Sequence, residues 1–307
     1  MYKRLELHNH TNESDGNLTA GELIDFMLSD KVDAFALTDH NTISGHQKVK
    51  QILEERNLSM SCIYGMEYTT YYGHILCFNL TEYVPWENIN KHKPELLFKA
   101  VQEKGALAGI AHPFSCGYPI GTCGFEMTFT DYSYVDFIEI FNNPEPLHEV
   151  NERGLLWWED LILEGHHIAA TSGMDLHGTS SMHYQFATFI ETDTNDSIAT
   201  CLKKAIGTGQ TWVSKGPILK YEVNRELKTI QFSIVPTSKP GYIEEENSPY
   251  ILSLRTKKET LSIPFDSKVP LTISFDDLNM EFVVIPKLYQ GSTQIENLVC
   301  VSPVLYL

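Results

Sequence analysis

The sequence predicts an α/β fold: a distorted seven-stranded (β/α) barrel followed by a small C-terminal all-β domain. Three observations carry this expectation. Short β-rich runs alternate with helical patterns as far as about Val213. Histidines and carboxylates recur just past the ends of those runs, and in a parallel barrel all strand ends share one face, where such residues converge. After Pro217 the helical patterns stop and strand-like alternation takes over.

Each element follows in order. Tyr2 to Leu7 reads as the first strand and leads into His8 and His10. Thr19-Ala20-Gly21-Glu22 has the spacing of a capping box and opens an amphipathic helix to about Ser29. Phe35 to Leu37 is the second strand, before His40, and a helix runs from about Ser44 to Arg56. Ser61 to Met66 is the third strand, ending at Glu67. Ile75 to Asn79 is the fourth, and His74 alone precedes its strand. A helix over Pro94 to Glu103 stops at Gly105, and the fifth strand, Ala106 to Ala111, runs into His112. Phe137 to Phe141 is the sixth, followed by Asn142. A helix from His148 to Leu163 ends at Gly165, and the seventh strand, Ile168 to Thr171, leads to Asp175 and His177. Asp196 to Ile206 is the last helix. The barrel is thus expected over residues 1–217 and the β domain over 218–307, where Ile230 to Ile234 and Leu271 to Phe275 alternate and Lys239-Pro240-Gly241 marks a turn. The Gly-rich, aromatic stretch from Phe114 to Asp131 reads either as a lid over the site or as a packed surface loop.

Composition narrows the function. The formal charge is −17, from 40 acidic and 23 basic residues. A nucleic-acid polymer needs a basic face, so it is not expected as a partner, and an anionic membrane surface is disfavoured for the same reason. No run is long and apolar enough to span a bilayer, and Met1 to Leu7 lacks the apolar core of a signal peptide. A cytoplasmic location is expected. Six cysteines form no C-x-x-C pair; Cys116 and Cys123 are near enough in sequence to approach each other, but reduced thiols are the expectation.

The strand-end residues are ligand types for zinc, manganese and iron. His8-Asn9-His10 puts two imidazoles on the same side of an extended segment, and Asp175-Leu176-His177 repeats that geometry with a carboxylate. Each short pattern is weak alone, because H-x-H arises by chance. Thr38-Asp39-His40-Asn41-Thr42 carries His40, the alternative being a helix-entry turn capped by Asp39 and Asn41. Glu67 is costly at the end of a buried strand unless it is paired or metal-bound. Ala111-His112-Pro113 fixes an imidazole before a rigid turn.

These motifs, with Ser14-Asp15-Gly16 and Gly73-His74-Ile75-Leu76, resemble those of the PHP (polymerase and histidinol phosphatase) superfamily in content and order over roughly residues 1–217. Gly209 to Pro217 further resembles the branch that includes carbaryl hydrolase. The resemblance implies a distorted seven-stranded barrel with two or three divalent ions (Zn, Mn or Fe). It implies that His8, His10, Glu67 and Asp175 hold the first ion, that Glu67 bridges to a second held by His74 and His112, and that Asp15, His40 and His177 hold the third. Asp15 stands where some members have histidine. Glu139 and Asn142 match a looser family motif, and Glu139 is otherwise an ordinary barrel-wall carboxylate.

Glu67 and His183 are the candidate catalytic residues, Glu67 as the bridge and His183 as a general acid. His46, His92, His148 and His166 are expected on solvated helices or loops, and His167 in the core or behind the ligands. The chemistry expected is hydrolysis of a small phosphate ester by a hydroxide shared between ions. A carbamate, ester or amide hydrolase with the same cluster, or a non-catalytic metal-dependent binding module, are the alternatives. No G-x-S-x-G or Walker motif is present.

Overall fold

The capping box forms as the sequence indicates: the Thr19 side chain accepts from Glu22 N, and Glu22 accepts from Thr19 N. It opens a helix whose buried residues, Ala20, Leu23, Ile24 and Met27, recur at the spacing of one face. In the computed structural model, residues 1–115, 125–142, 149–192, 195–245, 248–279 and 281–307 are described. The elements are β1 (Tyr2–Glu6), α1 (Ala20–Ser29), β2 (Ala34–Leu37), α2 (Gly45–Glu55), β3 (Ser61–Thr70), β4 (Gly73–Phe78), α3 (Glu95–Glu103), β5 (Leu107–Ile110), β6 (Phe137–Phe141), α4 (Glu149–Leu163), β7 (Ala169–Ser172), β8 (Ala187–Glu191), α5 (Ile198–Gly207) and β9 (Thr211–Ser214). Then come β10 (Ile218–Asn224), β11 (Thr229–Val235), β12 (Tyr250–Arg255), β13 (Thr260–Phe265), β14 (Leu271–Ser274), β15 (Val283–Gln290), β16 (Leu298–Val301) and β17 (Leu305–Tyr306). Among the described residues no helix is long and apolar enough to cross a membrane.

The fold is mixed α/β around one large sheet, in which β1 to β7 are neighbours in sequence order. Two features depart from the expected parallel barrel. First, β3 runs on to Thr70 and turns back into β4, so β3–β4 and β4–β5 are antiparallel. The turn is tight: Thr70 Oγ1 donates to Gly73 O and accepts from Tyr72 N. Gly73 has φ +127°, and the Phe125 ring lies 2.5 Å from where a Cβ would sit, so glycine alone fits there. Second, among the described residues no ladder joins β1 to β7. The edge of β1 that a closed ring would offer to β7 is taken by β8, antiparallel, and β8 pairs with β9. Neither β8 nor β9 was anticipated. The run still curls, because Asn9 just past β1 forms a parallel bridge with Leu176 just past β7.

The described residues after 217 form strands and short 3-10 turns. A three-stranded sheet, β10–β11–β14, stands apart, but β13–β12–β15–β16 joins the main sheet through β9. Val301 and Cys300 pair with Val213 and Ser214 in that ladder. The buried carboxylate of Glu159 on α4 also takes Arg255 of β12 and Lys287 of β15 as ion-pair partners. One apolar cluster accordingly unites Met66, Phe98 and Trp158 with Ile285, Leu298 and Val301.

The described part of the expected lid is packed. Phe125 stacks on Phe129, whose ring meets Phe98 edge-on, and Met127 is buried. Residues 116–124, with Cys116 and Cys123, and His148 lie outside the described residues. Cys62, Cys77, Cys201 and Cys300 are free thiols.

Candidate metal centre

The strand ends bring the predicted ligands together. Antiparallel β4 explains why His74 precedes its strand: its first residues lie where the parallel strands finish, and His74 pairs with Thr69 across the hairpin. His40 and Glu67, past β2 and along β3, form a parallel bridge. Candidate ligand atoms of His8, His10, Glu67 and Asp175 lie within 4.8 Å of one another. The same holds for Glu67, His74 and His112, and for His10, Asp15, His40 and His177.

Glu67 is the hub. It is fully buried, with Oε2 3.2 Å from His8 Nε2, 3.4 Å from His10 Nε2 and 2.9 Å from His40 Nδ1. Its Oε1 lies 2.8 Å from His74 Nδ1 and 3.0 Å from His112 Nε2. Asp175 Oδ1 lies 3.0 Å from His10 Nε2 and 3.4 Å from His8 Nε2. Asp15, exposed at the outer side, is 3.1 Å from His177 Nε2 and 3.4 Å from His40 Nε2. His10 stacks between the rings of His40 and His177, at 4.2 and 4.3 Å.

Surrounding groups orient these rings. His8 Nδ1 donates to Glu139, whose oxygens lie 3.0 and 3.2 Å away. Glu139 also accepts from His112 N and Asn142 Nδ2. Among the described residues its ion-pair partner is an imidazole, not a lysine or arginine. Thr69 Oγ1 lies 2.5 Å from His40 Nδ1. His112 and Asp175 have φ of +23° and +50°, left-handed values that cost a non-glycine residue about 1–3 kcal/mol and persist only where surroundings enforce them.

Electrostatics run against burial here. Desolvation disfavours charge on His8, yet Glu139, Asp175 and Glu67 hold its pKa well above the ordinary value. His112 behaves alike: burial opposes its charge, but Glu67, Asp175 and Glu139 raise its pKa to about 9. His40 is raised too, against burial, by Glu67 and Asp15. His10, the exception, is lowered by burial. Burial would raise Glu67 and Asp175, but the imidazoles, His8 foremost, hold both well below the carboxylate range. The cluster thus demands positive charge among converging carboxylates, which protons or divalent cations supply. His8 Nε2 and His74 Nε2 are buried with no hydrogen-bond partner among the described residues. Donor chemistry and these two nitrogens, buried without a hydrogen bond, together fit divalent metal ions.

Several expectations need correction. His183 is not brought to the cluster: it is half exposed, with Nε2 3.7 Å from Asp30 Oδ1, and Asp30 pairs with Arg4 near the opposite end of β1. His46 is not solvated; it is half-buried and bonds Gly65 O through Nε2 at 2.8 Å, supporting β3 just before Glu67. His167 is exposed, and its ring lies tilted against that of Tyr306 at 4.9 Å. Asp39 and Asn41 do not cap α2. Asn41 bonds the backbone of Thr69, and Asp39 turns to Thr11 and Ser14. The adjacency of Asp39 to His40 was the available signal.

Residues 6–112 match the family model of the PHP domain, a span that includes His8 through His112 but not Asp175 or His177. An uncharacterized protein of Methanocaldococcus jannaschii is 32% identical over 84 residues, which make up 27% of this chain and 46% of that protein. The match therefore spans less than half of that relative's length. A two-domain protein of Bacteroides vulgatus, containing a predicted PHP-like metal-dependent phosphoesterase, superposes with a TM-score of 0.57 at 14% identity, over 99% of this chain and 95% of that one. At that identity the likeness speaks to the fold. Over residues 6–112, with their ordered histidine and carboxylate motifs, the chain is similar to the PHP domain.

Proposed function

We propose that this chain is a metal-dependent phosphoesterase acting on a small phosphate ester. The observation that supports it most is Glu67, a buried carboxylate whose two oxygens are shared among five imidazoles. In this reading His8, His10, Glu67 and Asp175 hold one ion, Glu67, His74 and His112 a second, and Asp15, His40 and His177 a third. Bound divalent ions of the zinc, manganese or iron kind supply Lewis acidity and activation of water.

The chain's own residues do the rest. Glu139 fixes the His8 ring so that Nε2 faces Glu67 and Asp175. Asp15, Glu67 and Asp175 offset only part of the charge of such ions, so the pocket favours an anion although the whole chain is acidic. Asp15 and His177, the more exposed ligands, mark the side where a substrate enters. His183 has no role in this scheme. Residues 1–217 carry the site, and 218–307 form a β-rich unit built onto it.

The test is phosphate release from a panel of small phosphate esters, beside an aryl carbamate, by metal-reconstituted protein. Metal-dependent release of phosphate is expected. Fully metal-loaded protein that cleaves only the carbamate, or neither, would refute the phosphoesterase reading.

A further inference from the structure

We infer that Asp39 is a positioning residue for the outer ligand group, His10, Asp15, His40 and His177, and acts by fixing the loop that carries Asp15. The inference rests on the metal-site reading above. Asp39 is 1% exposed and, among the described residues, has no ion-pair partner. A buried carboxylate without a cation has to be satisfied by hydrogen bonds. Asp39 takes them all from one segment. Its Oδ1 accepts from Thr11 N at 2.7 Å, Thr11 Oγ1 at 3.0 Å and Ser14 Oγ at 2.8 Å, and its Oδ2 lies 2.9 Å from Thr11 Oγ1.

That segment is the short loop between His10 and the start of α1. Thr11 O accepts from Ser14 N and Gly16 N, which folds the loop tightly. Gly16 has no room for a side chain, since a Cβ would lie 2.5 Å from His10 O. On the far side Asn17 N donates to His177 O at 2.7 Å. Asp15 projects from the middle, exposed, with His177 and His40 as its ion-pair neighbours. Little packs against its side chain, so the loop backbone sets where its carboxylate stands. The Asp39 carboxylate is the anchor of that backbone on the β2 side, one residue before His40. Glu67, by contrast, sits on a strand, and Asp175 lies next to Leu176, which bridges to Asn9.

The experiment is a metal titration of the full-length protein with manganese or zinc, by calorimetry and by competition with a chromogenic chelator, with the thermal midpoint as a fold check. In Asp39→Ala the weakest of the bound equivalents should lose tenfold or more in affinity while the others keep theirs. Asp39→Asn, which retains shape and acceptor, should restore most of the loss. If Asp39→Ala does not fold, Thr11→Val and Ser14→Ala each remove one hydroxyl and should weaken the same equivalent by smaller factors. Wild-type titration behaviour in these variants, or uniform weakening of every equivalent, would overturn the inference. A wild-type protein that binds no metal at all would sink the metal-site reading instead, and the role of Asp39 with it.

Discussion

His8 Nδ1 lies 3.0 Å from Glu139 Oε1, and this contact turns His8 Nε2 toward Glu67 and Asp175. A carboxylate behind a ligating imidazole fixes its tautomer and raises its basicity. Glu139→Gln should therefore keep the fold but weaken metal binding by about 10- to 100-fold, the scale seen for such outer partners. Metal retained after dialysis against a graded chelator series is the measurement; wild-type retention would contradict the role.

Glu67→Gln keeps the shape of the hub but halves its capacity to accept. At least one ion should be lost, and turnover should fall on the order of a hundredfold or more, the scale of losing a major electrostatic element. His177, at the outer edge, should be more forgiving: His177→Ala should recover with excess metal where Glu67→Gln does not. Metal content and turnover across a metal titration compare the two. Full metal and near-normal activity in Glu67→Gln would require the cluster to be redrawn.

Metal binding should release protons. In the metal-free protein His112, with a pKa of about 9, carries a proton near pH 7, and the carboxylates around His8 and His40 raise both of them in the same direction. A ligating imidazole must be neutral at the bound nitrogen, so the metal displaces such protons and affinity should strengthen as pH rises toward 9. Calorimetry in two buffers of different ionisation enthalpy reads the proton count directly. Equal apparent enthalpies in both would count against this account.

Lys239 should leave a signature in stability. Its ammonium donates to Met182 O at 2.9 Å, and burial, aided by Arg4, pushes its pKa down to about 7. The unfolded chain keeps the ordinary value of 10.5. Between these values the unfolded state binds more protons, so Lys239 makes stability rise with pH across that window, with its full penalty felt below about 7. Lys239→Met should flatten that rise, gaining most on wild type at low pH. Urea midpoints of both proteins from pH 6 to 10 test it, as an order-of-magnitude window; parallel slopes would show that Lys239 stays protonated in the fold.

Much of this site was legible because the ligands obey local rules. Side chains alternate along extended backbone, so H-x-H at His8 and D-x-H at Asp175 announce paired donors, and their places past strand ends announce a shared face. Pairing between distant strands has no such local mark. Nothing near Ala187 or Thr211 says that β8 will take the free edge of β1, so a fully paired ring is expected, whereas β1 and β7 meet through the Asn9–Leu176 bridge alone among the described residues. His74 looked anomalous until the hairpin reversed β4. His183 is close to the Asp175 motif in sequence, but its chain leaves the mouth and ends beside Asp30. For Asp39 the sequence offers only the alternative of a cap, because a cap and a loop anchor use the same residue type.

The ladder between β9 and β16 makes the chain hard to divide. Cutting after residue 217 would strip the partner from Val213 and Ser214 and leave β9 as a raw edge, with unpaired amides and carbonyls on offer to any other strand. The same cut would take Ile285, Leu298 and Val301 out of the apolar cluster they share with Trp158, and deprive Glu159 of Arg255 and Lys287. A fragment ending there would be an aggregation-prone half rather than a minimal enzyme. Insertions and deletions that respect the candidate ligands must also respect strands more than eighty residues further along the chain, because β16 completes the edge of β9 in the sheet under those ligands.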